Sequence, residues 1–136
     1  MRTSPVGGHT PTVLLLDDDG NTLIALSAIL ERSQIRVVES ETPQGAVEWY
    51  RTSSSGIDVV VADVVLRDSN GPEVVRQLKS MRPPKGILFI SGFSLSELTR
   101  RGLLQEDELQ PGYVEFLQKP FTSESFISRV EKLLRS

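Results

Sequence analysis

The sequence contains no cysteine, a single histidine and no apolar run near the length of a membrane span. Without cysteine there is no disulfide framework, no thiolate nucleophile and no Cys-based zinc site. The lone histidine, His9, lies in the Pro/Gly/Ser/Thr-rich segment MRTSPVGGHTP, so Ser–His catalysis and multi-histidine metal sites have no support. Gly7 and Gly8 are not followed by the Lys-Ser/Thr pair of a phosphate-binding loop. A bilayer core takes ~20 apolar residues to cross, and residues 1–11 lack the apolar core of a signal peptide. Residues 1–11 read as a flexible leader or linker. Residues 12–136 read as one cytoplasmic domain with no membrane contact of its own. A large charge of one sign is missing too. The net charge is -3, which gives no general attraction to nucleic acid or anionic lipid, so no direct nucleic-acid contact is expected.

What is present is a regular alternation. Residues 12–16 (TVLLL) form a strand. Leu23, Leu26, Ile29 and Leu30 then recur at helical spacing, giving a helix that ends near Ser33. Residues 35–40 are a short strand. Residues 42–52 are a helix with Thr42 as N-cap, Pro43 in its first turn, and Ala46, Trp49 and Tyr50 on one face. Residues 57–63 (IDVVVAD) are nearly continuously apolar, as in a strand covered on both faces. A helix opens at Gly71-Pro72 with Val74, Val75 and Leu78 inward. Strand 86–91, helix 94–104, a polar loop over 105–112 and strand 113–118 follow. The last helix carries Phe126, Val130, Leu133 and Leu134 inward. Five strands alternating with five helices predict an α/β fold, a doubly wound parallel sheet with right-handed crossovers. There is no internal repeat and no second domain.

In such a sheet, functional groups gather beyond the carboxyl ends of the strands. The first strand runs into Asp17-Asp18-Asp19, the third ends at Asp63, the fourth at Ser91 and the fifth at Lys119. The second ends on Glu39-Ser40 at the sheet edge and stands apart. Taken singly, an Asp after a strand is ordinarily a turn or cap residue, and Lys119 is a surface lysine before a proline. Taken together, the carboxylates, a hydroxyl and an ammonium converge on one rim. Clustered carboxylates store repulsion unless a cation relieves it, and hard oxygen ligands suit Mg²⁺.

At these residues the sequence resembles the receiver domains of two-component signalling. The matching stretches are LLDDD, VVVADVVLRDSNG, FISG and FLQKPF, in that order and each at the end of the right strand. The likeness spans 12–135 and is most similar to receivers at the C-terminus of hybrid histidine kinases. It implies a flavodoxin-like five-stranded sheet of order 2-1-3-4-5. It also implies a phosphoacceptor module that takes phosphate onto Asp63 from a histidine kinase or histidine phosphotransfer domain. Such a module catalyses only its own phosphorylation and dephosphorylation. Mg²⁺ (or Mn²⁺) would be held by Asp17, Asp18, Asp63 and the backbone carbonyl of Val65. Lys119 and Ser91 would act at the phosphoryl group, Ser91 and Phe116 would be the switch, and Val65 and Phe93 would tune its lifetime. A cis Lys119–Pro120 bond, and a monomer or weak homodimer, are further implications; a parent kinase would be membrane-bound or not independently of this domain. Arg67 stands where many relatives have proline, and it is expected to leave that loop more mobile. Asp19 is expected to be a solvated loop charge. The residues leave one rival open, a Mg²⁺-dependent aspartyl-phosphate phosphatase, since Asp17 and Asp19 fit its Asp-x-Asp spacing. A nucleotide-binding domain is a weaker rival, because no Gly-rich loop follows the first strand.

Overall fold

A computed structural model describes residues 10–53 and 56–135. Most of the leader expected over 1–11, including His9, lies outside the described residues. Pro11 is already tied to the sheet, since its carbonyl accepts from Arg36 N at 2.9 Å.

Five strands alternate with five α-helices: β1 (Thr12–Leu16), α1 (Gly20–Arg32), β2 (Arg36–Ser40), α2 (Pro43–Thr52), β3 (Val59–Asp63), α3 (Gly71–Met81), β4 (Gly86–Ser91), α4 (Leu95–Arg100), β5 (Val114–Gln118) and α5 (Ser123–Arg135). The strands pair in parallel in the order β2-β1-β3-β4-β5. This is the flavodoxin-like order expected. β1, β3 and β4 are buried along their whole length, which explains their unbroken apolar runs.

Side chains alternate between the two faces of a strand, and that alternation divides the core. Val13, Leu15, Val59, Val61, Leu88 and Ile90 face α1 and α5, where Leu23, Leu26, Leu30, Phe126, Val130 and Leu133 meet them. Leu14, Leu16, Val60, Ala62, Ile87 and Phe89 face Ala46 and Tyr50 of α2, Val74, Val75 and Leu78 of α3, and Leu98 of α4.

Two expected helix features change. Trp49 does not join Ala46 and Tyr50 in the core: it is 45% exposed. α2 covers the β1–β2 edge of the sheet, where the stripe through 46 and 50 is enough to close the contact. The helix expected over 94–104 stops at Arg100. Gly102, at φ 74°, ends it. Gly102 N donates to Thr99 O at 3.0 Å and Leu103 N to Leu98 O at 2.9 Å, the paired bonds that close a helix through a left-handed residue. Leu104 then turns into the core, and the polar loop that follows contains a short 3₁₀ turn, Glu106–Glu108.

Candidate functional site

Strand alternation decides which residues can meet at the rim. Asp63 continues the Val59–Val61 row, Asp17 the Val13–Leu15 row and Lys119 the row of Leu117, all on the α1/α5 face. The three do meet. Lys119 Nζ lies 3.1 Å from Asp63 Oδ2 and 3.3 Å from Asp17 Oδ2. Ser91 continues the Ile87–Phe89 row and belongs to the opposite face, with Val114 and Phe116. Its carbonyl accepts from Lys119 N at 2.8 Å, which ties the end of β4 to the rim.

The electrostatics follow from the count of charges. Asp17 and Asp63 are buried, and they share one ammonium. Burial pushes the Asp63 carboxyl up to about 6, helped by the neighbouring Asp17 and opposed by Lys119. Burial pulls the Lys119 ammonium down, but the two carboxylates outweigh it and hold its pKa above the ordinary lysine range. Asp63 Oδ1 also accepts from Val65 N at 3.1 Å, and Asp17 Oδ1 from Asp19 N at 2.9 Å.

The remaining expected residues fall around this triad. Ser91 is buried, and its Oγ accepts from Phe93 N at 3.0 Å. The Phe93 ring is 37% exposed and lies under the Arg101 guanidinium, 4.4 Å from ring centroid to carbon. Phe116 is half-buried on the α3/α4 face, paired in register with Phe89 and clear of the triad. Lys119–Pro120 is cis. Asp18 Oδ2 accepts from Arg67 N, on the loop after β3, at 2.7 Å. Among the described residues, no three acidic side chains stand together as a ready-made metal cluster.

Several contributors were not foreseen. Asp19 is not a free loop charge but the N-cap of α1, accepting from Asn21 N at 3.1 Å and Thr22 Oγ1 at 3.0 Å. Those bonds hold its carboxyl below the usual range. An Asp just before a helical period was the available signal. The loop after Asp63 carries main-chain bonds of its own. Val65 and Asn70 form an antiparallel bridge, and Leu66 N donates to Ser69 O at 3.2 Å. Gly71 N donates to Val64 O at 2.9 Å, and a Cβ at Gly71 would collide with the Asp63 carbonyl oxygen. Only glycine allows that approach, so Gly71 sets the backbone on which Asp63 sits.

Known proteins with this arrangement are numerous. The family model described as "Response regulator receiver domain" matches residues 13–131. A cyclic di-GMP phosphodiesterase of Thermotoga maritima is 28% identical over 125 residues, covering 92% of this chain and 31% of that protein. The sensor kinase CckA of Brucella abortus is 28% identical over 123 residues, 90% of this chain but 12% of its own. The chain thus spans a third or less of the length of these two relatives. The BeF3-activated DrrB receiver domain is 27% identical with a TM-score of 0.73, and covers 94% of this chain and 100% of that one. No described helix is long and apolar enough to cross a membrane. On its sheet order, its rim and these matches, the chain belongs to the response regulator receiver domains of two-component systems.

Proposed function

We propose that this domain accepts a phosphoryl group onto Asp63 from a phosphohistidine of a histidine kinase or phosphotransfer domain, and that the modification switches a protein-interaction surface. The observation that carries the reading is the buried Asp63 carboxylate, which shares Lys119 with Asp17 at the end of the central strand. A carboxylate in that position is a nucleophile held beside a fixed cation. As the phosphoryl group moves from nitrogen to an Asp63 oxygen, the Lys119 ammonium offsets the charge gathering on the transferred oxygens. The Ser91 hydroxyl, still accepting from Phe93 N, donates its own proton to a phosphoryl oxygen once the group has arrived. Phe116, on the same face as Ser91, follows it inward. That couples the rim to α4, β5 and α5 as a two-state element.

The donor set fits a hard divalent cation. It is all oxygen, and its two buried carboxylates have one ammonium between them. Asp17, Asp18, Asp63 and the Val65 carbonyl would hold Mg²⁺ or Mn²⁺. When bound, the cation supplies the positive charge that Lys119 alone cannot. Catalysis is confined to the domain's own modification. Asp19, which the phosphatase reading needs as its second acid, is committed to capping α1.

The test is incubation with acetyl phosphate and Mg²⁺, followed by intact-mass measurement. The parent should gain one phosphoryl group and Asp63→Asn none, and a generic phosphate ester should not turn over. Labelling of Asp63→Asn equal to the parent's would remove the assignment.

A further inference from the structure

Position 67 has a backbone N–H, and that N–H is used. It donates to Asp18 Oδ2 at 2.7 Å, across 49 residues of sequence, from the loop after β3 to the loop after β1. The distance is in the range of charge-assisted bonds. Asp17 and Asp63 converge on Lys119, while Asp18 is bonded to the β3–α3 loop, and among the described residues the three do not stand together as a metal cluster. Asp18 and Arg67 also line a crevice of about 300 Å³, together with Glu41 and Leu66. The Arg67 side chain is exposed, so the residue acts here through its main chain. The loop that presents the N–H is fixed from both ends, by the Val65–Asn70 bridge and by Gly71 N on Val64 O. Moving the amide to follow Asp18 would break those bonds. Moving Asp18 costs only side-chain rotation and the loss of one solvent-exposed hydrogen bond.

We propose that the Arg67 amide is a catch on Asp18: it holds the carboxylate on the β3–α3 loop and competes for it with the divalent cation. The inference rests on the proposed metal role of Asp18. It makes Arg67 a positioning residue, acting through its N–H rather than its guanidinium. Metal binding then has two steps, release of Asp18 from the loop and its turn toward Asp17 and Asp63. The observed affinity is lowered by the fraction of molecules in which the catch is closed.

The experiment is Mg²⁺ titration of the unphosphorylated protein by calorimetry, with the Arg67 amide followed by NMR. Arg67→Pro deletes the N–H and should bind Mg²⁺ about tenfold more tightly, the lower end expected for a hydrogen bond to a charged group. Arg67→Ala keeps the N–H and should bind within about twofold of the parent at physiological salt, where an exposed charge is screened. Proline also stiffens the loop, so the amide signal carries the decision. In the parent and in Arg67→Ala, the amide proton of residue 67 should move toward its unbonded shift as Mg²⁺ saturates, with the same midpoint as the calorimetry. An amide shift that persists through saturation overturns the catch, because Asp18 would then bind metal without leaving the loop. Equal affinity in all three proteins overturns it as well, while leaving the metal reading intact. No Mg²⁺ binding by any of them removes both.

Discussion

Asp63 and Glu115 are both buried, but under opposite terms. Asp63 and its neighbour Asp17 share one ammonium, and burial pushes Asp63 up to about 6. Glu115, on β5, has two cations beside it: Lys132 Nζ at 3.2 Å and Arg129 at 3.6 Å, with Gly112 N donating at 3.0 Å. Burial raises Glu115 as well, but those partners together hold it below its ordinary value. The same desolvation is thus overcome at one site and left standing at the other. Glu115 joins β5 to α5 and has nothing left over for a ligand. Asp63 keeps an unmet demand for positive charge, in keeping with its proposed role as acceptor of a phosphoryl group. Burial alone does not mark a functional acid; the ratio of carboxylates to cations around it does.

The largest expected effect breaks the comparison at its cations. Lys119→Ala should slow acetyl-phosphate labelling about 100-fold, the loss of one fixed charge aimed at the transferring group, whereas Lys132→Ala should change it less than twofold. Similar slowing by both would mean that general electrostatics, not the rim geometry, drives the reaction.

Stability should respond with opposite signs. Asp63→Asn removes a carboxylate that is costly to ionise, raised from 3.8 to about 6. At about 1.4 kcal/mol per unit, the gain is at most about 3 kcal/mol at neutral pH without divalent cation. Glu115→Gln should lose about 1 kcal/mol, reduced from the value of a fully buried pair because Arg129 and Lys132 are largely exposed. Urea unfolding of both variants checks this, and a destabilised Asp63→Asn would contradict the charge count.

The pH dependence sharpens the same contrast. Asp63 is raised on folding, so its contribution is fully present below pH 3.8 and is lost as pH climbs through about 6. The Asp63→Asn advantage should therefore vanish near pH 4 and grow to its full size by pH 7. Glu115 is lowered, so its contribution is present above its unfolded value of 4.5 and fades as pH falls further. Parallel pH profiles for the two variants would erase the distinction.

The smallest effect concerns how closed the Asp63 rim is. Val65 is half-buried and Phe93 sits beneath Arg101, so neither apolar side chain offers a hydrogen bond to an attacking water. A Val65→Asn, Phe93→Glu double variant should lose its phosphoryl group faster than the parent, followed by intact mass over time. Equal or slower decay would discard the shielding.

Much of this was legible in the sequence, because strand ends are marked by abrupt changes of chemistry. LLLD, VVAD, FIS and LQK announce both the rim and the residues on it. Glu115 was not legible. Its partners lie 14 and 17 residues away on α5 and look like ordinary helix-surface charges until the helix is docked. Trp49 was misread because helical spacing says which residues share a stripe but not how wide a stripe the neighbours cover. The end of α4 was readable in principle: Gly102 stands in LTRRGLL, where the apolar Leu103 and Leu104 extended the periodicity past the glycine. The Arg67–Asp18 bond had no sequence signal, since a main-chain donor is present at every residue but proline.

Strand parity has a consequence for how such a domain can change over generations. By strand alternation Asp17, Asp63 and Lys119 continue the rows on one side of the sheet, and Ser91 and Phe116 those on the other. Substitutions packed against α1 and α5 act first on the Asp63 side, and those packed against α3 and α4 act first on the Ser91 side. The sheet works as a partition between two workshops joined at a few points along the rim. One of them is the Ser91 carbonyl that receives Lys119 N. A single-residue insertion within β4 would move Ser91 through that partition. Variation in length is therefore expected to collect in the loops and to spare the last residues of the strands.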